Sequence, residues 1–291
     1  MPVSRDDVIA VYREILGREP ENEAVIEGHL AGTESIVTLA KRAAYGVEFT
    51  DRVLRQHSLG HLVGELAGRR YEVIRTGATY APWASDNDFQ QTFGAVRGHT
   101  LVDLYRCWNL WHLVAQVARR CSPAEHFVEV GVWRGGTAML MARRMAMLGL
   151  SQPIYLCDTF EGVVKAGVHD PHYVGGEHSD TSIAIVRELA ARLSLSNYEI
   201  SVGVFPEQRP ALLDNGSIGF CHIDVDAYES AKDCFNFVWP RMVPGGVVIF
   251  DDYGSFTTSG VAKLVDESLS GAGGIWQYNL NGHAVATKVP N

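Results

Sequence analysis

The sequence predicts an α/β protein: a mostly parallel sheet with helices on both faces and a C-terminal antiparallel hairpin, preceded by a small helical N-terminal region. Three observations carry this expectation. From residue 126 onward, strand-like apolar runs alternate with helical ones, as in a parallel sheet whose crossovers are helices. Glycines and acidic residues gather at the carboxyl ends of those strand-like runs, where open parallel sheets bind ligands. Near the end of the chain, Asn281-Gly282 lies between two further strand-like runs, which signals a tight hairpin.

Composition bounds the possibilities. A chain of 291 residues is long enough for one large or two smaller domains with a core that needs no disulfide staples. At 46% hydrophobic and 20% charged it reads as an ordinary globular chain, not a disordered one, a coiled coil or a collagen. Lys and Arg total 25 against 34 Asp and Glu, a net charge of −9, so neither nucleic acid nor an anionic membrane is an expected partner. No apolar run reaches the roughly 18 residues a membrane span needs. The stretch Met1–Asp7 lacks the apolar run of a signal peptide. Cys107, Cys121, Cys157, Cys221 and Cys234 include no CxxC pair and are expected to be reduced core thiols, which points to a cytoplasmic location.

Taken in order, residues 1–70 predict a helical module. Val8, Val11, Tyr12, Ile15 and Leu16 recur at helical spacing, with Ser4 or Asp6 as the cap and Gly17-Arg18-Glu19-Pro20 as the break. Helical patterns follow through Ala24–Leu30 and Ile36–Phe49. The second region, 71–291, begins with a connector and an apolar helix over Leu101–Arg120. Its Leu104, Trp108, Trp111, Val114 and Val117 fit either a helix covering the sheet or an aromatic wall for a sugar. Strands are expected at Phe127–Val132, Ile154–Cys157, Tyr198–Val202, Ile218–Ile223 and Val247–Phe250, and helices at Thr137–Met147, Ser182–Leu193 and Ser230–Met242. The final pair, Ile275–Asn279 and Ala284–Lys288, is expected to add an antiparallel edge.

Three groups of residues carry chemistry. Glu129-Val130-Gly131-Val132-Trp133-Arg134-Gly135-Gly136 sits at a strand-to-helix turn, where glycines let a ligand approach the backbone. Trp133 breaks the dinucleotide spacing and speaks against a nicotinamide oxidoreductase, and Glu129 suits a cationic or hydroxylated ligand better than a phosphate. Asp158 ends the second strand, where an acid can accept hydrogen bonds from ribose hydroxyls; with the glycine loop it reads as a nucleoside site without a phosphate cradle, which S-adenosylmethionine fits. Asp224-Val225-Asp226 and Asp251-Asp252 end the fourth and fifth strands, on the same edge. Two unit charges 4 Å apart repel by about 4 kcal/mol at an effective dielectric of 20, so either some are protonated or point away, or a cation sits among them. Magnesium prefers such carboxylate oxygens. Asp251 and Asp252 can both face it only if the chain turns at Asp252, which Tyr253-Gly254 favours. Asp226 is expected behind the ligands, and His222 on the other face. The segment between Val163 and Thr181 reads as a lid. Its His169, His172 and His178 either contact a sugar, act as base, or are solvated.

Glu129–Gly136, Asp158–Gly162, Ile223–Ser230 and Pro244–Gly254 together resemble the macrocin O-methyltransferase family over roughly 71–291, with Gly260 and Asp266-Glu267 also in keeping. The resemblance implies a class I methyltransferase (Rossmann-like) fold using S-adenosylmethionine and magnesium. It implies methylation of a sugar hydroxyl or a phenol, hence a small-molecule glycoside or glycan acceptor. It gives Glu129, Gly131 and Asp158 to the cofactor, beside which Trp133 and Gly135 of the loop are expected. Asp224, Asp251 and Asp252 go to the metal, with Asp224 doubling as base, and a homo-oligomer is expected. Catechol methyltransferases share the metal spacing but place Lys three residues after the first Asp, where this chain has Ala227. An aryl or catechol methyltransferase is therefore the alternative within the class, and a catalytically silent binding module the alternative outside it. The N-terminal stretches Val11–Pro20 and Ala44–Phe49 resemble a bacterial helical domain of unknown function, which implies a scaffold or docking role.

Overall fold

The computed structural model describes residues 3–16, 18–20, 22–32, 35–44, 71, 74, 78–269 and 271–290. The chain divides into two compact units, Met1–Arg75 and Thr76–Asn291. In the first, Ser4 caps helix α1 (Arg5–Val11) through a reciprocal box with Asp7, satisfying amides the helix leaves unpaired. A π-helical turn over Tyr12–Leu16 follows, then α2 (Glu23–Gly32) and α3 (Ile36–Ala44). Val8, Val11, Tyr12, Ile26 and Leu39 form its core. Gly17 and Tyr45–Phe49, part of the expected break, helix and resemblance, lie outside the described residues.

The second unit opens with α4 (Asn87–Val96), capped by Asp86, and α5 (Leu104–Ala118), capped by Asp103. The cap starts α5 three residues later than the apolar pattern suggests, because Asp103 accepts the amides of Tyr105 and Arg106. Trp111 is wholly buried in the core and Trp108 packs against Phe89, so the aromatic stripe of α5 covers the sheet.

Seven strands follow: β1 (Glu125–Val130), β2 (Ile154–Asp158), β3 (Tyr198–Val202), β4 (Ser217–Ile223), β5 (Met242–Phe250), β6 (Ile275–Tyr278) and β7 (Ala284–Thr287). Their order is β3-β2-β1-β4-β5-β7-β6. The first five are parallel and β7 runs antiparallel between β5 and β6. The crossover helices are α6 (Gly136–Met147), α7 (Ile183–Arg192), α8 (Tyr228–Val238) and α9 (Ser259–Leu269). Helix α8 stops before the expected Met242: Pro240 cannot continue it, a 3-10 turn takes Trp239–Arg241, and Met242 already belongs to β5.

Alternation along the strands builds two cores. Phe127, Leu156, Phe220 and Ile249 face Trp111, Leu140 and Val186. Val128, Cys157, Cys221, Val248 and Phe250 face Ala231, Phe235, Val261 and Val265. Each large apolar side chain so buried contributes about 1.5–3 kcal/mol. Register then decides the site. Val130 pairs with both Cys157 and Ile223, and Ile223 with Phe250. The residues one step beyond those rungs, Gly131, Asp158, Asp224 and Asp251, therefore lie level on one sheet edge. No helix among the described residues is long and apolar enough to cross a membrane.

Candidate active site

A cavity of about 480 Å³ opens on that edge, and Gly131, Trp133, Asp158, Asp224, Asp251 and Asp252 all line it. Gly131 ends β1 at φ +85, and a Cβ there would sit 1.6 Å from the Asp224 carbonyl oxygen, so only glycine lets the ends of β1 and β4 close up. Asp158 organises the loop that follows. One oxygen accepts the amides of Val132 (2.6 Å) and Trp133 (2.8 Å), and the other accepts that of Phe160 (2.6 Å). Of the roughly four lone-pair sites on a carboxylate, that leaves about one for a ligand hydroxyl. Trp133 takes a left-handed φ of +46, and its indole donates to Asp180 at 2.8 Å, tying the glycine loop to the segment between β2 and α7.

Two residues expected to face a cofactor are off the cavity wall. Glu129 is fully buried inside the sheet, two residues before Gly131, and its Oε1 lies 2.9 Å from Nδ1 of His222, its neighbour across the β1–β4 pair. Burial raises its carboxyl above the usual range. Gly135 caps α6 in the left-handed region, where a Cβ would crowd Val186 at 3.1 Å. Its glycine serves helix packing.

The carboxylates of Asp224, Asp251 and Asp252 offer oxygens within 4.8 Å of one another. Strand β5 ends at Phe250 and the turn begins at Asp251, which brings both aspartates to the cavity. Their environments differ. Asp251 Oδ1 accepts from His283 Nε2 at 2.8 Å, with His222 Nε2 at 3.5 Å, and Oδ2 accepts from Arg106. Burial would raise Asp251, but His222, His283 and Arg106 hold it below the usual carboxylate range. Burial also lowers His222, yet Asp251 and Glu129 win and bring it to about 10. Asp224 and Asp252 are pushed up by burial and then by the neighbouring acids. Asp252 accepts the Asp226 amide at 3.0 Å. Asp226, at a left-handed φ of +61, also lines the cavity and accepts the Tyr173 hydroxyl at 2.8 Å.

Three hard oxygen donors in a small, partly dry volume, two of them short of positive charge, fit a magnesium-like cation. Among the three lid histidines only His178 lines the cavity, beside Trp133 and Tyr173. His169 packs on Tyr228 and His172 on Phe256. Sequence reasoning missed Arg106 and the His283 contact. The signal for Arg106 was a lone cation inside an otherwise apolar helical stripe.

The family model for Macrocin-O-methyltransferase (TylF) matches residues 83–268. A relative from Streptomyces olivaceus, 8-demethyl-8-(2,3-dimethoxy-alpha-L-rhamnosyl)-tetracenomycin-C 4'-O-methyltransferase, is 32% identical over 166 residues, covering 53% of this chain and 62% of its own. The Mycinamicin III 3''-O-methyltransferase of Micromonospora griseorubida is 29% identical over 169 residues, covering 53% of this chain and 65% of its own. This chain thus spans less than two thirds of the length of these curated relatives. Among solved structures, the O-methyltransferase NovP superposes with a TM-score of 0.57 at 23% identity, over 66% of this chain and 83% of that one. The calicheamicin methyltransferase CalS11 gives 0.53 at 15%, over 74% of this chain and 99% of that one. At these identities the likeness shows the class I methyltransferase fold.

Proposed function

The chain belongs to the macrocin-O-methyltransferase family, and on that premise we propose that it transfers a methyl group from S-adenosylmethionine to a sugar hydroxyl of a glycosylated natural product or glycan. The observation that carries this reading is the meeting, in one cavity, of the Gly131–Asp158 loop with the Asp224, Asp251 and Asp252 carboxylates. The relatives' names support the substrate class, since one of them names a rhamnosyl-bearing compound.

In this reading the backbone at Gly131 and Val132 lets the cofactor approach, and Asp158 keeps the loop in shape while offering its remaining lone pair to a ribose hydroxyl. Asp224, Asp251 and Asp252 would hold magnesium, which supplies positive charge that lowers the pKa of an acceptor hydroxyl. The acceptor oxygen attacks the methyl carbon, the carbon–sulfur bond breaks toward the departing thioether, and the hydroxyl proton passes to a carboxylate. Asp224 is the first choice of base, because it lines the cavity with its carboxylate beside those of Asp251 and Asp252. Asp226 is a second choice on a specific observation: it stands outside the three-carboxylate cluster, on the cavity wall, with its proton affinity raised by burial.

The test is transfer of labelled methyl from S-adenosylmethionine to a panel of glycosides and phenols, with magnesium and with EDTA. Turnover of glycosides that EDTA abolishes supports the proposal. Turnover of phenols alone would move it to the aryl alternative, and none on any acceptor despite cofactor binding to the silent module. If Asp224→Asn keeps turnover while Asp226→Asn loses about 100-fold or more, the base is Asp226.

A further inference from the structure

We propose that Arg106 is a built-in counter-ion of the carboxylate cluster, a positioning residue that grips Asp251 and competes with a divalent cation for it. The inference rests on the metal reading given above.

Arg106 lies in the first turn of α5, where the helix dipole disfavours a cation, so local helix stability does not account for it. Its side chain is only 19% exposed. The guanidinium is held at two points: Nε donates to Asp103 Oδ2 at 2.8 Å, and Nη1 donates to Asp251 Oδ2, on a turn 145 residues further along the chain. Asp103 is itself fixed, since its other oxygen caps α5. The fork is therefore aimed at the cavity by a carboxylate that has no other ion pair among the described residues.

Asp251 is gripped a second time from the β6–β7 hairpin, by a residue that α5 supports. Its Oδ1 meets His283 Nε2, and His283 Nδ1 lies 2.9 Å from Asn109 Nδ2 on α5. Asp224 and Asp252, by contrast, have no ion pair at all among the described residues, although each has an oxygen within 4.8 Å of Asp251's. The cluster is thus asymmetric. One of its three members is already neutralised by a protein cation, and the other two are not. A divalent ion bound to all three would stand next to a guanidinium that shares one of its ligands. Like charges in so small and dry a volume repel, so the ion binds more weakly than the carboxylates alone would allow, and binding loosens Arg106 from Asp251. The chain gains a cluster in which one carboxylate of the three stays charge-compensated whether or not the cation has arrived.

The test is titration calorimetry of Mn²⁺ and Mg²⁺ into the full-length wild type, Arg106→Gln and Arg106→Lys, with melting temperatures in EDTA and in saturating metal. Arg106→Gln is expected to bind Mn²⁺ about tenfold more tightly than wild type, to melt lower in EDTA, and to gain more from metal. Arg106→Lys keeps the charge and should restore the wild-type affinity to within about threefold. Unchanged or weaker Mn²⁺ binding by Arg106→Gln overturns the inference. Should that variant fold neither with nor without metal, nitrogen-15 arginine labelling of the wild type decides, with Arg106→Lys identifying the signal. The Arg106 side-chain resonance must shift and exchange faster as Mg²⁺ is added; a resonance unmoved at saturation overturns the proposal. If the wild type takes up neither metal, the metal reading itself falls and carries this inference with it, whereas metal binding without competition removes the inference alone.

Discussion

Gly260 and Asp170 lie 90 residues apart in sequence and define one contact. Asp170 is buried, accepts the Tyr228 amide at the start of α8 (2.9 Å) and the Gly167 amide (3.0 Å), and would meet a Cβ on Gly260 at 2.0 Å. Gly260→Ala is therefore expected to cost about 1–3 kcal/mol in urea unfolding, because the buried Asp170 carboxylate must move off the amides it accepts. The displaced start of α8 lies two residues past Asp226, so methyl transfer should fall with it. The cavity aspartates were legible as residues because each is a charged side chain ending an apolar strand, a place where an unpaired acid is costly unless it does something. Glu129 followed the same rule and misled: it lies two residues before Gly131, inside the sheet below the cavity, where His222 compensates it. His283 was readable only as a hairpin residue, because its partners Asn109 and Asp251 come from distant elements.

Among elements, the segment between β2 and α7 carries the most consequence. Several bonds hold it, among them Asp170 to the Tyr228 amide of α8, Tyr173 to Asp226, Lys165 to Asp233, Ser230 to the Val164 carbonyl, Thr181 to the Trp133 carbonyl and Asp180 to the Trp133 indole. Asp180→Ala removes the last of these and leaves the others. We expect faster proteolytic cleavage within 174–181 and weaker S-adenosylhomocysteine binding by about three- to tenfold, since Trp133 lines the cavity. Unchanged cleavage would mean that the indole bond does not hold the segment. An irregular loop was legible in the spacing of glycines and Pro171, but its anchors were not: they are side-chain bonds between segments whose approach only the sheet register determines. Strand positions were readable because apolar runs of β-branched residues have few alternatives. The ends of α5 and α8 were not, because a cap at Asp103 and a proline at position 240 override the apolar period.

Across the whole molecule, the sheet, both of its packed faces and the cavity all lie within Thr76–Asn291. A chain trimmed to that unit is expected to bind S-adenosylhomocysteine within about threefold of the full chain, because a unit with its own core keeps its own site. Loss of binding on trimming would assign part of the site to the first unit. The central claim is that the Gly131–Asp158 edge is a methyl-donor site. Isothermal titration of S-adenosylhomocysteine, with and without magnesium, on wild type and Asp158→Ala tests it most directly. The account predicts micromolar binding by the wild type and at least tenfold weaker binding by Asp158→Ala, which loses the acceptor of three backbone amides. No binding by a folded wild type under either condition would contradict it.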